Sequence, residues 1–283
     1  MDTDMKKILV PCDFSKPAVN AFRLALDMAL KSKGVVYLLN VIELPAIHDP
    51  IIMPVITFEK EFMKELREKT DVQFDRLIAK YKPAGVTVKT EIAFGSPSRL
   101  ITALVRKRSI DTIIMGTHGT TGIREYFIGS NAEKIVRLSP VPVLITKKYY
   151  KGHMKNIVFP NTLETENQEN LVRKVKELQA FFKARVHILY VNTPTNFTAD
   201  NVTMDRLKEF ARQFAFKNYT LNVYNYPFEE AGILQFAKSI KADLIAMGTH
   251  GRKGISHFLN GSLAEDVVNH ADFPIWTYVH TRA

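Results

Sequence analysis

Cysteine is nearly absent: Cys12 is the only one in 283 residues. A single thiol closes no internal disulfide, so no disulfide framework holds this fold, and a reducing cytoplasm is the simplest setting for it. Long apolar runs are also missing. None reaches about 18 residues, so nothing reads as a membrane-spanning helix. Residues 1–7 are charged and lead into the short apolar run 8–12, which is not the pattern of a secretory leader. What is present is ordinary for a globular chain. A composition of 46% hydrophobic and 24% charged residues excludes a disordered chain. The length fits one large domain or two of common size.

Charge is plentiful and basic, at +10 overall. Residues 1–150 carry 23 Lys/Arg against 16 Asp/Glu, and residues 151–283 carry 16 against 13. The basic residues are scattered, apart from short clusters such as Arg106-Lys107-Arg108 and Lys147-Lys148. No DNA-reading helix motif and no RNA-binding aromatic strand accompanies them. A solvated basic surface is the better reading, without nucleic acid as partner.

The chain repeats itself, which bears on the whole architecture. DTIIMGTHG at 111–119 returns as DLIAMGTHG at 243–251, an offset of 132. KKILVPCDFS from Lys6 resembles KNIVFPNTLE from Lys155, an offset of 149. Strand two ends near Val41 and Val191, an offset of 150, so the first half carries a net insertion of 18 residues between there and Gly116. The Pro- and Ile-rich stretch 44–58 is its expected place, as a loop ahead of a charged helix over 59–81. The expected domains are 1–149 and 150–283.

Within the first half, strands are expected at 8–11, 35–41, 86–93, 112–115 and 141–146. Helices are expected at 15–33, 98–108 and 130–138. Ser15 suits the cap of the first helix, with Pro17 in its first turn. Alternation of this kind argues a parallel sheet covered on both faces. Ligands of such sheets bind beyond the carboxyl ends of the strands.

Gly116, Gly119, Gly129 and Ser130 form the pattern G-x2-G-x9-G-S, and Gly248, Gly251, Gly261 and Ser262 repeat it. This is neither a Walker A loop nor the dinucleotide fingerprint. It reads as a phosphate cradle. Gly116 is free to take a positive φ at a strand end. Gly119 leaves room for ligand oxygens to reach backbone N–H groups. Gly129-Ser130 opens a helix whose first N–H groups favour an anion. The alternative is purely structural: Ser130 to Glu133 and Ser262 to Glu265 both fit a capping box, in which the serine caps and the glutamate folds back.

These residues resemble the universal stress protein family in a tandem, two-domain form. The carriers are Pro11-Cys12-Asp13-Phe14-Ser15, Val41 and Gly116/Gly119/Gly129-Ser130, with the repeat at Gly248/Gly251/Gly261-Ser262. The resemblance implies an α/β fold of two Rossmann-like domains. Each would be a five-stranded parallel sheet of order 3-2-1-4-5 with helices on both faces. It also implies a stress-response regulator that binds ATP or another adenine nucleotide, with Mg2+. On that resemblance Pro11, Asp13 and Val41 lie around the nucleoside, Met115 and Gly116 lie beside the ribose and phosphates, and Gly119, Gly129, Ser130 and Asn131 hold the triphosphate. The matching second-half positions are Val191, Met247, Gly248, Gly251, Gly261, Ser262 and Leu263. Two departures stand out there: Asn161 in place of the acid, and Pro227-Phe228-Glu229 in place of Gly95-Ser96-Pro97. Phe228, Glu229 and Glu230 would crowd and repel a triphosphate, whereas Arg252 and Lys253 bring cations to the second glycine loop.

Other residue types carry less. His118 and His250 sit in the glycine loops and read best as loop histidines bonded to backbone. His250, His257 and His270 match no zinc spacing. Cys12 reads as a small buried residue rather than a redox sensor. Arg124 is equally a phosphate contact or a surface arginine. No nucleophile–base pair or metal set is evident, so binding is expected more than turnover, with a slow ATPase or nucleotidyl enzyme as the alternative. The last strand of each half, 141–146 and 274–279, is short and apolar. The two are expected to pair as an intramolecular pseudo-dimer. A homodimer and a further protein partner stay open.

Overall fold

The computed structural model describes residues 5–43, 55–117, 129–163, 168–250 and 263–280. The first half runs β1 (Lys7–Pro11), α1 (Lys16–Ser32), β2 (Val35–Ile42), α2 (Val55–Tyr81), β3 (Thr87–Phe94), α3 (Pro97–Arg108), β4 (Thr112–Gly116), α4 (Ser130–Leu138) and β5 (Val143–Thr146). The second half runs β6 (Asn156–Pro160), α5 (Glu169–Phe182), β7 (Arg185–Asn192), α6 (Asp200–Gln213), β8 (Tyr219–Asn225), α7 (Glu229–Ser239), β9 (Leu244–His250), α8 (Leu263–His270) and β10 (Ile275–His280). A short 3-10 turn, Pro194–Asn196, precedes α6.

All ten strands form one sheet, ordered β3-β2-β1-β4-β5-β10-β9-β6-β7-β8. The first five follow the order 3-2-1-4-5, and the second five follow it in mirror image. Pairing is parallel within each half. It is antiparallel only where β5 meets β10, with Ile145 opposite Ile275 and Leu144 opposite Trp276. The two last strands named from the sequence are therefore the ones that join. Because strand direction reverses at that join, the carboxyl ends of the two halves lie along opposite edges of the sheet.

Local chemistry explains the elements. Ser15 caps α1: its Oγ accepts from the Ala18 N–H at 3.4 Å, and Pro17 occupies the first turn. Each half also anchors its first strand in the same way. Asp111 Oδ2 accepts from the N–H groups of Lys6 and Lys7 at 2.9 and 2.8 Å. Asp243 Oδ2 accepts from those of Lys155 and Asn156 at 2.8 and 2.9 Å.

Side chains alternate along the strands into two cores, one on each face, and both run through both halves. One packs α1, α2, α5 and α6 against Ile8, Val10, Leu144, Ile157 and Trp276. The other packs α3, α4, α7 and α8 against Leu9, Ile113, Ile145, Ile245 and Ile275. The connection between halves is clamped to α1. The Arg23 guanidinium lies 3.7 Å from the Tyr149 ring centroid, and the Tyr149 hydroxyl donates to Asp27 at 2.7 Å. Lys147 reaches across to the Asn269 carbonyl at 2.8 Å.

The insertion is placed differently from expectation. Helix α2 has 27 residues and its counterpart α6 has 14, so 13 of the 18 inserted residues lengthen a helix. Residues 55–58, expected in the loop, belong to α2, whose continuous helical pattern reaches further back than its charged stretch suggested. The rest of that loop, 44–54, lies outside the described residues.

Candidate functional site

The first-half site is built at the carboxyl ends of β1, β2 and β4. Where β1 ends, the Cys12 N–H donates to the Leu39 carbonyl at 2.8 Å, and the buried Asn40 amide donates to the Cys12 carbonyl at 2.8 Å. The chain then turns through Asp13, whose Oδ1 accepts from the Ser15 N–H at 3.1 Å. Phe14 between them is left-handed, φ 65°, a conformation that costs an L-residue about 1–2 kcal/mol. Its ring packs on Phe74 of α2 at 5.3 Å, which holds the turn in place. Pro11 and Val41 are partly exposed beside it. Burial, above all, pushes the Cys12 thiol up to about 12, which leaves it protonated and unreactive near neutral pH.

Gly116 closes β4, but its φ is not in the left-handed region. The expected positive φ is corrected. A Cβ there would lie 2.7 Å from the Pro17 carbonyl carbon and 2.8 Å from the Ala18 nitrogen. Gly116 is bare because the first turn of α1 sits directly on it. Met115, its neighbour, is only 6% exposed and packs in the core.

The start of α4 also differs from the capping box. Gly129 is the N-cap, φ −65° and ψ 146°, and among the described residues no side chain caps the helix. The Gly129 N–H donates to the Thr117 carbonyl at 2.6 Å. Ser130 is the first helical residue and is exposed. Glu133 pairs forward with Arg137 at 3.5 Å rather than folding back. The first bond within the helix is Glu133 N–H to the Gly129 carbonyl, 3.0 Å. The N–H groups of Ser130, Asn131 and Ala132 thus precede the helical ladder, as an anion-binding helix start requires. Asn131 Nδ2 donates to Glu43 Oε1 at 3.4 Å, tying this start to the end of β2. Sequence reasoning did not single out Glu43 or Asn40. Glu43 is merely the first charged residue after an apolar strand, and a buried amide in a strand carries no signature.

In the second half the positions separate. The Asn161 N–H donates to the Leu189 carbonyl at 2.9 Å, as Cys12 does to Leu39, and Leu163 is left-handed at φ 63°, as Phe14 is. The counterpart of Asp13 is therefore Thr162, and Asn161 stands opposite Cys12. Asn161 Oδ1 accepts from the Leu163 N–H at 2.7 Å, the same turn contact that Asp13 makes to Ser15, and its Nδ2 donates to Oε1 of Gln168, the N-cap of α5, at 2.6 Å. One extra residue lies between β8 and α7, so by strand register Tyr226 stands where Gly95 stands in the first half. Gly232 lets α7 close over Val191: a Cβ there would lie 2.6 Å from Val191 Cγ1. Of the expected crowding groups, Phe228 is 74% exposed, Glu230 pairs with His270 Nδ1 at 2.7 Å, and Glu229 is exposed, with partial desolvation raising its pKa. Met247 is buried in the core, Gly248 lies within β9 opposite Tyr278, and Leu263 opens α8.

Gly119, Gly251, Gly261, Ser262, His118, Arg124, Arg252, Lys253 and His257 lie outside the described residues. Among the described residues no cluster of His, Cys, Asp and Glu could hold a metal ion, and no helix is long and apolar enough to cross a membrane. A histidine not weighed from the sequence, His187, lies within β7. Its Nδ1 is 2.8 Å from Thr220 Oγ1 and its Nε2 is 3.2 Å from Asn156 Oδ1. Burial, with Arg185 nearby, lowers its pKa.

The sequence pattern described as the Universal stress protein family matches residues 5–147 and 228–278. The chain belongs to that family. A universal stress protein of Methanocaldococcus jannaschii is 31% identical over 165 residues, covering 52% of this chain and 98% of that protein. A second one from the same organism is 29% identical over 144 residues, covering 50% of this chain and 82% of that protein. The crystal structure of a universal stress protein from Archaeoglobus fulgidus superposes over 98% of this chain and 99% of its own, with a TM-score of 0.74 and 18% identity. The single-length relatives thus match about half of this universal stress protein, and a full-length one shares its whole fold.

Proposed function

We propose that this universal stress protein is a cytoplasmic regulator that binds an adenine nucleotide, ATP foremost, in its first half. We take it as two tandem units, 1–149 and 150–283. The carrying observation is the start of α4. Among the described residues it has no side-chain cap; it opens on Gly129-Ser130-Asn131 and is tied by Asn131 to the end of β2. The N–H groups of Ser130, Asn131 and Ala132 would receive phosphate oxygens. The Asp13 turn and Val41 would flank the nucleoside. Glu43 adds negative charge at the phosphate end, which a Mg2+-bound triphosphate tolerates better than a bare one. The metal would arrive with the phosphates rather than on a protein cluster. The reading assigns binding and a signal to a protein partner, not rapid turnover.

The second half is read as the weaker site, because Thr162 replaces Asp13, Tyr226 replaces Gly95, and α7 lies close on Val191. Calorimetry of the full chain with Mg·ATP tests both claims. Gly129→Val should remove most binding and Gly261→Val little. No adenine-nucleotide binding by the wild type would end the reading. Equal losses in the two variants would end the asymmetry.

A further inference from the structure

The sheet ends on β3 at one side and β8 at the other. An edge strand exposes a row of N–H and C=O groups ready to pair with another strand, and proteins normally guard such edges. Here the two edges are guarded unequally. At β3, the Gly95 N–H turns inward to the Ile42 carbonyl at 3.0 Å. By strand alternation the backbone groups of Val88, Thr90, Ile92 and Phe94 therefore face out. Arg67 of α2 blocks that row. Its Nη1 lies 3.4 Å from the Ile92 carbonyl, and its guanidinium sits 4.8 Å from the Phe94 ring centroid. Lys89 and Glu91 place charge on the same strand.

Among the described residues, β8 has none of these devices. It reads YTLNVYN, without charge or proline. The Val186 N–H donates to the Asn218 carbonyl and the Tyr226 N–H to the Asn192 carbonyl, each at 3.1 Å. Asn218, Thr220, Asn222, Tyr224 and Tyr226 therefore face β7. The backbone groups of Tyr219, Leu221, Val223 and Asn225 face outward, and among the described residues no hydrogen bond reaches them.

We propose that β8 is the surface through which two copies of this chain pair, antiparallel about a twofold axis at Asn222. The strand is self-complementary in that register, as a twofold interface must be. Tyr219 stands opposite Asn225 of the second copy, Thr220 opposite Tyr224, Leu221 opposite Val223, and Asn222 opposite itself. Outward-facing residues then meet outward-facing residues, which is the hydrogen-bonded pairing of an antiparallel ladder. Leu221 and Val223 lie on the face of the α6 core, so their pairing extends that core across the join. No like charges oppose one another. Tyr219, 37% exposed, and Phe228, 74% exposed, lie at opposite ends of the strand, and the antiparallel arrangement brings each to the other's end. The chain already joins its own halves by this geometry, with the equivalent edge strands β5 and β10 paired antiparallel.

Sedimentation equilibrium from about 1 to 200 μM protein, in about 0.3 M salt to screen the charge on each copy, should show the mass rising toward twice 32.2 kDa. Val223→Pro removes an outward N–H without breaking a bond to β7. It should weaken association at least about tenfold while far-UV circular dichroism stays native. Asn222→Lys and Asn222→Asp should each abolish self-association by placing like charges on the axis, and an equal mixture of the two should associate again. In the wild type, which needs no folded variant, the Leu221 and Val223 amides should exchange fast when dilute and slowly when concentrated. A monomer throughout the range overturns the proposal. So does fast exchange of those amides at high concentration, or association unchanged by Val223→Pro. Folded charge variants that stay apart when mixed overturn the twofold at Asn222.

Discussion

Replacing Gly116 with alanine separates two reasons a glycine can stand at a strand end beside the proposed nucleotide site. If the glycine serves only the ligand, Gly116→Ala leaves the empty protein as stable as before and weakens ATP binding alone. The structure gives the other answer. The new Cβ would lie 2.7 Å from the Pro17 carbonyl carbon and 2.8 Å from the Ala18 nitrogen, both backbone atoms of the first turn of α1. Carbon contacts are ordinary from about 3.5 Å, so α1 must lift by roughly 0.8 Å or β4 must bend away. Overpacking of this kind costs about 1–3 kcal/mol. The reduced freedom of alanine in the unfolded chain returns about 0.4–1 kcal/mol. The net loss, about 1–2 kcal/mol, lowers the melting temperature by roughly 2–8 °C at about 2–4 °C per kcal/mol. Lifting α1 also moves the Asp13–Ser15 turn, so ATP affinity should fall together with stability. The assay is thermal melting without nucleotide, followed by calorimetry with Mg·ATP. A ligand-free variant melting within about 1 °C of wild type would refute the packing argument.

Three further outcomes follow from other residues. Partial desolvation at the start of α7 raises the pKa of Glu229, which is itself exposed, so the folded chain slightly favours its protonated carboxyl, and that small, solvent-screened contribution is lost as pH rises through its folded value. Glu229→Gln should therefore melt higher than wild type at about pH 7 and equally near pH 4, below the ordinary glutamate value; a pH-independent difference would contradict this. Cys12, with its thiol pushed up to about 12, should resist iodoacetamide in the native protein and react once urea unfolds it; rapid native labelling would show the thiol to be accessible. Trp276 is 2% exposed in the core shared by both halves, so Trp276→Ala should cost about 3–5 kcal/mol and lower the urea midpoint of both halves together, whereas a first half unfolding at its wild-type midpoint would show the halves to be uncoupled.

Much of the architecture was legible in the chain because its signals are local. Alternating strands and helices, the Ser15 cap, the glycine spacing and the two short last strands are written in runs of neighbouring residues. Strand order followed from family resemblance. Helix α2 reads less well: its polar face carries the charge pattern, and its first residues, 55–58, look like the apolar loop before them.

The sequence by itself determined the alternation, the repeat and the positions where phosphate chemistry was expected. Only the tertiary structure decided what those positions do, because the deciding contacts join residues far apart in the chain. Gly116 is bare because α1, almost a hundred positions earlier, docks on β4. Gly129 rather than Ser130 is the cap, because its N–H finds the carbonyl of Thr117, twelve positions earlier. Thr162 rather than Asn161 answers Asp13, because backbone hydrogen bonds set the register and residue similarity does not. Among the described residues, the difference between the guarded β3 edge and the unguarded β8 edge depends on Arg67 reaching Ile92 from another element. A strand's sequence carries its own alternation; whether another element covers its edge is settled only when the helices pack.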